Sequence, residues 1–259
     1  MILQKIYNYK KEELEHYKRQ ARPEEVQARA KDSGYRPLSL AQALRDSGQP
    51  FAVIAEIKRQ SPSKGLLRAD FDPVAIAKGY EEAGAAALSV LTDEHFFGGH
   101  LDHLRAVRQA VALPLLRKDF VWDPYQIYVA REAGADAILL IAAMLGRWQI
   151  EDLQGLAEEL GLSVLVEVHD EAEAWRASEV GAKLVGINNR DLQTFKVDVG
   201  LTEQLLPKLP ANAVKVSESG LDSVEVLKRL KAAGAQAFLI GEAFMKAPRP
   251  GEALKGLLR

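Results

Sequence analysis

A glycine–alanine pair followed by a short apolar run occurs four times in this chain, at nearly constant spacing. Its glycines are Gly84, Gly134, Gly181 and Gly234, which are 50, 47 and 53 residues apart. Glycine ends a helix at low cost because it adopts the left-handed conformation without a Cβ penalty. The apolar runs lack polar–apolar alternation, which suits parallel strands buried on both faces. Each copy therefore predicts that a helix ends and a buried strand begins.

Four further apolar runs alternate with these copies, one before each, and begin at Phe51, Pro114, Ser163 and Ala213. Strands alternating with helix-length connections predict an α/β protein, and eight such units predict a (β/α)8 (TIM) barrel. An open doubly wound sheet also alternates strands with helices, but no G-x-G-x-x-G follows any predicted strand, and the two-unit period favours closure. The predicted strands cover 51–57, 86–91, 114–118, 136–142, 163–168, 183–188, 213–217 and 236–240.

Composition agrees with one barrel and excludes several other classes. The 259 residues are 47% hydrophobic, enough for one barrel domain over residues 1–259 with an N-terminal helical extension at 1–50. A net charge of -2 gives no reason to expect nucleic acid or membrane partners, and no apolar run is long enough for a membrane span. The N-terminus lacks the apolar region of a signal peptide. With no cysteine, disulfides and thiolate chemistry are excluded, and we expect a cytoplasmic enzyme.

The N-terminal extension has the pattern of two amphipathic helices. Leu3, Ile6, Leu14 and Tyr17 lie on one face of a charged helix that Pro23 interrupts, and a second amphipathic stretch covers 38–44. A cap over the barrel bottom and a lid over its mouth both fit this pattern.

Polar residues cluster at the predicted C-terminal ends of the strands, where the active sites of such barrels lie. Glu56 and Lys58 share a face because they are two residues apart. A structural salt-bridge layer inside the barrel would explain these charges, but two lysines with several carboxylates at one mouth favour acid–base chemistry. The set is Glu56, Lys58, Lys118, Asp119, Glu167, Asn188, Asn189, Arg190, Ser217, Glu218 and Ser219.

Glycine turns after the last two strands indicate a phosphate site. Gly220 and Gly241, with a short helix expected from Glu242, match the geometry in which backbone N–H groups and a helix N-terminus hold an anion. Glu242 fits beside a phosphate only if its side chain turns away. The loop at 61–65 is either a flexible connection or a lid that contacts phosphate through hydroxyls and Lys64.

The histidines do not indicate a metal site. His95, His100 and His103 match no metal-ligand spacing, so we expect no metal. His169, beside the fifth strand, is expected to lie outside the side chains that touch a substrate.

Six motifs at predicted strand ends together resemble the indole-3-glycerol phosphate synthase family. The opening LQKIYNYKKEEL also resembles the N-terminal helix of that family, so the resemblance covers nearly the whole chain. It implies ring closure of 1-(2-carboxyphenylamino)-1-deoxyribulose 5-phosphate to indole-3-glycerol phosphate with loss of CO2 and water, a carboxy-lyase step of tryptophan biosynthesis. The motifs are AEIKRQSPSKG (55–65), LLRKDF (115–120), LVEVH (165–169), GINNRDL (186–192), VSESG (216–220) and FLIGEAFM (238–245).

The resemblance also implies roles for individual residues. Lys118 would be the first acid, Lys58 would hold the substrate carboxylate or act as a second acid, and Glu167 and Glu56 would be the candidate bases. The other implied residues are Asn188 and Ser219 for orientation, Arg190 and Glu218 beside them, Phe97, Phe120 and Leu192 against the anthranilate ring, and Ser61, Gly220, Gly241 and Glu242 at the phosphate.

The chain departs from the family pattern at Gln60, where some relatives carry a lysine near the phosphate, and Lys64 is a candidate substitute. We expect no cofactor and a monomer that acts on a small phosphorylated substrate, with other enzymes of the pathway as candidate partners. The alternatives are another phosphate-binding barrel enzyme, such as an isomerase, epimerase or aldolase, and a barrel that only binds phosphorylated ligands.

Overall fold

The computed structural model describes residues 2–259 and contains a closed barrel of eight parallel strands. Each strand pairs with its neighbours in sequence, and the first pairs with the last, where Ala52 lies opposite Ala237. The predicted barrel is therefore confirmed, and the open sheet is excluded. The strands are β1 Ala52–Ile57, β2 Ala87–Leu91, β3 Leu115–Lys118, β4 Ala137–Ile141, β5 Ser163–Val168, β6 Leu184–Asn188, β7 Val214–Glu218 and β8 Ala237–Ile240.

Helices precede the barrel and follow its strands. Three come before β1: α1 Ile2–Gln20, α2 Pro23–Asp32 and α3 Leu40–Arg45. None of the helices within residues 2–259 is long and apolar enough to cross a membrane. The others are α4 Pro73–Ala83, α5 Glu94–Phe97, α6 Leu101–Ala110, α7 Pro124–Glu132, α8 Arg147–Glu159, α9 Glu171–Glu179, α10 Gly200–Leu205, α11 Val224–Ala233, α12 Glu242–Lys246 and α13 Pro250–Leu257, with a 3-10 turn at Leu206–Lys208.

The four repeated glycines have the backbone conformation that the sequence predicts. Each follows the end of a helix by one or two residues and has a positive φ, from 63° at Gly181 to 114° at Gly234. An L-residue would be strained there. These turns let each helix stop abruptly, so that the next buried strand starts within a few residues.

Alternation along the strands divides the core into two layers. In β1, Val53 and Ala55 point outward to the helices, whereas Ala52 and Ile54 point into the barrel. Glu56 continues the inward row at the top of the strand. The barrel interior is therefore apolar below and polar at its C-terminal mouth, which puts the charged side chains at the position expected for an active site.

The N-terminal extension covers both ends of the barrel. Leu40 and Leu44 of α3 pack into the apolar cluster inside the barrel, and the Leu40 N–H donates to Ser163 Oγ at the start of β5 at 3.2 Å. At the opposite end, buried Lys10 of α1 lies 3.0 Å from the Asp119 carboxylate, just after β3. Thus α3 caps the bottom and α1 lies across the mouth.

Candidate active site

Every residue to which the family resemblance assigns a role lines one cavity of about 920 Å³ at the C-terminal ends of the strands. The parallel barrel brings them together because all eight strands end at the same rim. Asn189 and Ser217 of the predicted polar set do not line it, because both are buried and hydrogen-bonded to each other. Leu3 and Ile6 of α1 line the same cavity, so the extension forms part of its wall.

Lys118, the last residue of β3, lies between two carboxylates. Its Nζ is 2.8 Å from Glu167 Oε2 and 2.8 Å from Glu218 Oε2. Burial disfavours the charged amine, but the nearby anions of Glu167, Glu218 and Glu56 outweigh burial and hold the pKa of Lys118 well above its usual value. Lys118 is therefore an ammonium at neutral pH.

The two carboxylates that share this ammonium titrate differently. Burial raises the pKa of Glu218 to about 7, because Lys118 only partly offsets the burial and the Glu167 anion adds to it. The pKa of Glu167 is well below its usual value, since Lys118 and His169 together outweigh its burial. The pair therefore combines a fixed anion with a carboxyl group that gains or loses a proton near neutrality.

Gly186 makes room for Glu218. A Cβ at this position would lie 2.0 Å from Glu218 Oε1. Among the side chains described, none forms a hydrogen bond with that oxygen. Sequence reasoning missed this contact, although a glycine inside a buried strand is itself a sign of close approach by a neighbouring group.

A second amine–carboxylate pair lies at the end of β1. Lys58 Nζ is 2.6 Å from Glu56 Oε1, and the glutamate is buried. Gly241 accommodates this pair, because a Cβ there would lie 2.5 Å from Glu56 Oε1. A side chain at Gly241 would thus displace Glu56, a constraint that the glycine turn alone did not reveal.

Asn188 connects the ends of β5, β6 and β7. Its Nδ2 donates to Glu167 Oε1 at 3.2 Å, and its Oδ1 accepts from Ser219 Oγ at 2.8 Å and from the Arg190 N–H at 3.0 Å. Ser219 has a φ of 69°, which is uncommon for a residue other than glycine. The hydrogen bond to Asn188 helps to hold its hydroxyl at the cavity.

The end of the cavity where the sequence predicts a phosphate carries a hydroxyl without a described hydrogen-bond partner and a carboxylate paired with cations. Ser61 Oγ is buried and makes no hydrogen bond to any described residue. Glu242 lies 3.0 Å from Arg190 and 2.6 Å from Lys246, and these cations hold its pKa below the usual value despite its partial burial. The side chain of Glu242 is thus paired with cations, which reduces its repulsion of an anion.

An apolar wall lies beside these polar groups. The rings of Phe97 and Phe120 have centroids 6.1 Å apart and are tilted by 43°. Leu192 lines the same cavity, and both it and Phe120 pack against the apolar interior of the barrel. No cluster of three or more metal-ligating side chains is found among residues 2–259.

Comparisons with solved structures agree on the fold. The N-acetylmannosamine-6-phosphate 2-epimerase from Clostridium perfringens has a TM-score of 0.62 at 17% identity, with 87% of this chain and 97% of that chain covered. Mandelate oxidase Y128F has a TM-score of 0.61 at 16% identity, with 80% of this chain and 70% of that chain covered. At these identities the likeness concerns the fold alone.

Comparisons of sequence identify the family. The family model described as indole-3-glycerol phosphate synthase matches residues 3–257. The proteins of that name from Acidithiobacillus ferrooxidans and Polaromonas naphthalenivorans are 49% and 50% identical to this chain, and each match covers 99% of this chain and 98% of the relative. The chain therefore belongs to the indole-3-glycerol phosphate synthase family.

Proposed function

We propose that this chain catalyses the reaction for which its family is named: ring closure of 1-(2-carboxyphenylamino)-1-deoxyribulose 5-phosphate to indole-3-glycerol phosphate, with loss of CO2 and water. It thereby performs a step of tryptophan biosynthesis. The observation that carries the chemistry is the pair of lysines, Lys118 and Lys58, each in contact with a buried glutamate at the same cavity. Ring closure needs proton donors and a base, and these pairs supply both.

Lys118 is the first acid. It donates a proton to the C2 carbonyl oxygen as the anthranilate ring carbon attacks C2, so the carbonyl becomes a hydroxyl while the carbon–carbon bond forms. An ammonium with a strongly raised pKa is a weak acid, and Glu218 offers a means of lowering it. An anionic substrate favours protonation of Glu218, which removes one of the anions that stabilise the Lys118 charge.

Glu167 and Lys58 complete the reaction. Loss of CO2 returns its bonding electrons to the ring. Lys58 then protonates the hydroxyl, which leaves as water, while Glu167 removes the proton from C1 as the new double bond forms. Glu167 is the better base at this stage, because Lys118, which pairs with it at 2.8 Å, has already given its proton to the substrate, whereas Glu56 is still paired with Lys58 at 2.6 Å. Two protons are donated and one is removed, so the reaction consumes one proton as the carboxylate leaves as neutral CO2.

The remaining cavity residues bind and orient the substrate. Phe97, Phe120 and Leu192 pack against the anthranilate ring. Ser61 Oγ, which has no partner among the described residues, donates to the phosphate, as do the backbone N–H groups of 220, 241 and 242. Lys64 lines the same cavity and supplies a cation near the position where Gln60 replaces the lysine of some relatives.

Asn188 and Ser219 orient the hydroxyl and carboxylate groups of the substrate, with Arg190 beside them. The hydrogen bond from Ser219 Oγ to Asn188 Oδ1 supports a shared role for these two residues. We further propose that the chain acts in the cytoplasm and as a monomer.

A turnover assay tests this proposal. The purified protein, incubated with the carboxyphenylamino substrate, should generate indole fluorescence together with one CO2 per product, and Glu167→Gln should abolish the signal. Absence of turnover by the folded wild type would overturn the proposal. An aldolase-like mechanism through a lysine imine would instead yield a covalent adduct when borohydride is added with substrate, whereas ring closure yields none.

A further inference from the structure

His169 lies directly behind the proposed base, between two carboxylates. It follows the last residue of β5 and does not line the cavity. Its Nε2 is 3.2 Å from Glu167 Oε1, and its Nδ1 is 3.1 Å from Glu173 Oε2. The contact between His169 Nε2 and Glu167 is an ion-pair contact outside hydrogen-bond geometry. The ring is therefore anchored by its contact with Glu173 and attracts the Glu167 carboxylate through its charge.

Glu173 is well placed to hold this ring. It lies in the first turn of α9, is buried, and also accepts the His169 backbone N–H at 2.7 Å. Its carboxylate therefore fixes both the ring and the backbone of the residue that follows β5. Because two parts of His169 share one acceptor, the ring has little freedom to turn away from Glu167.

The charges around His169 favour its cationic form. Anions face it from its own strand (Glu167), from α9 (Glu173) and from the loop after β6 (Asp191), and the nearest cation on α9 is Arg176, 4.0 Å from Glu173. Burial opposes the charge, but the adjacent carboxylates raise the pKa of His169 to about 10. The ring is therefore an imidazolium at neutral pH.

The two carboxylate oxygens of Glu167 contact different groups. Oε2 contacts the ammonium of Lys118 at 2.8 Å, whereas Oε1 has the amide of Asn188 at 3.2 Å and the ring of His169. Without His169, Oε1 would keep only a neutral donor, Lys118 would be the one cation left to oppose burial among the groups that lower the pKa of Glu167, and that pKa would rise.

We propose that His169 is a positioning residue, a cation anchored by Glu173 that keeps the Glu167 carboxylate ionised and fixed in orientation for proton abstraction. This inference rests on the proposed role of Glu167 as the base. His169 acts through Glu167 and touches no reacting atom.

The pH dependence of turnover tests this inference. In His169→Gln the acid limb of the kcat/KM profile should move upward by about one pH unit, a loss of about tenfold below the limb, while the Kd of an uncyclisable reduced substrate analogue changes less than about threefold. Glu173→Gln should shift the limb in the same direction. His103→Gln, a half-buried histidine away from the cavity, is the matched control and should leave the profile unchanged. A purely structural role would lower stability and leave the limb where it is.

NMR titration of the wild type tests the inference without any change in sequence. With labelled histidine the chain gives five ring signals, and His169→Gln identifies the one that belongs to residue 169. That ring should remain an imidazolium through pH 8, and Glu173→Gln should lower its pKa. Titration of the wild-type ring near pH 6.5 would overturn the inference.

These results separate the two proposals. If the wild type does not turn over the substrate, the proposed function fails, and the titration still decides the state of His169. If the wild type is active and Glu167→Gln is inactive, but His169→Gln keeps the wild-type acid limb, then only the role of His169 is refuted.

Discussion

Gly186 lies inside β6, and its missing side chain leaves the space that Glu218 occupies. A Cβ there would lie 2.0 Å from Glu218 Oε1, whereas ordinary contacts begin at 3.4 Å. In Gly186→Ala the carboxylate must therefore move by about 1.4 Å, the difference between these distances. Such a shift breaks the 2.8 Å contact with Lys118, because hydrogen bonds weaken steeply beyond their normal range.

The expected result is a folded protein with low activity. A misplacement of about 1 Å in a catalytic arrangement costs on the order of 100-fold in rate, so kcat/KM should fall by about that factor. Overpacking of this kind costs about 1–3 kcal/mol in the free energy of unfolding. Indole fluorescence measures the activity, and denaturant unfolding measures the stability.

Two controls make this prediction specific. Gly155→Ala lies in an exposed part of α8 with no atom within 4 Å of the new Cβ, so it should keep full activity and gain about 0.5–1 kcal/mol in stability. In a Glu218→Ala background the obstruction is absent, and adding Gly186→Ala should change kcat/KM by less than about twofold. Wild-type activity in Gly186→Ala, or an equal loss in both backgrounds, would refute the reasoning.

Three further changes test other parts of the site. Lys118→Ala should lower kcat by roughly 10²–10⁴ in the fluorescence assay while the reduced analogue binds within about tenfold of wild type, and Lys118→Arg should restore little because guanidinium does not release a proton near neutrality; substantial rescue would move the acid to Lys58. Ser61→Ala should raise KM by about 10-fold or more without lowering Tm, because its buried hydroxyl has no partner to lose among the described residues; an unchanged KM would remove Ser61 from the phosphate site. Because the pKa of His169 is raised from 6.5 to about 10 in the folded protein, its stabilising contribution is fully present below about pH 6.5 and is lost as pH rises through about 10; denaturant unfolding of wild type and His169→Gln should give a difference in stability that is smaller at pH 10 than at pH 6.

The strands were predictable because their signal is local. The run at 51–57 corresponds to β1 at Ala52–Ile57, and the run at 163–168 coincides with β5. A short apolar segment after a helix-ending glycine can be buried only as a strand between neighbours, so its bounds follow from the residues themselves. The inward position of Glu56 follows in the same way from the alternation of a strand.

The position of the N-terminal extension was not predictable from its pattern. An apolar stripe on a helix shows that one face is buried, but it does not show against which surface. Lys10 on α1 pairs with Asp119 at the mouth, whereas Leu40 on α3 packs into the bottom of the barrel. These partners lie far along the chain, so only the folded protein distinguishes the two ends.

By itself, the sequence determined the eight-stranded barrel, the polar rim and the family. Helix-ending glycines, apolar strand segments and short motifs each depend on residues that are close together in the sequence. The tertiary structure decided which charges touch: Lys118 meets Glu218, 100 residues away, and His169 lies against Glu167 with Glu173 behind it. It also decided that Gly186 and Gly241 leave space for carboxylates. Burial and ion pairing set the protonation state of each group, and both arise only when the barrel closes and brings distant strand ends to one rim.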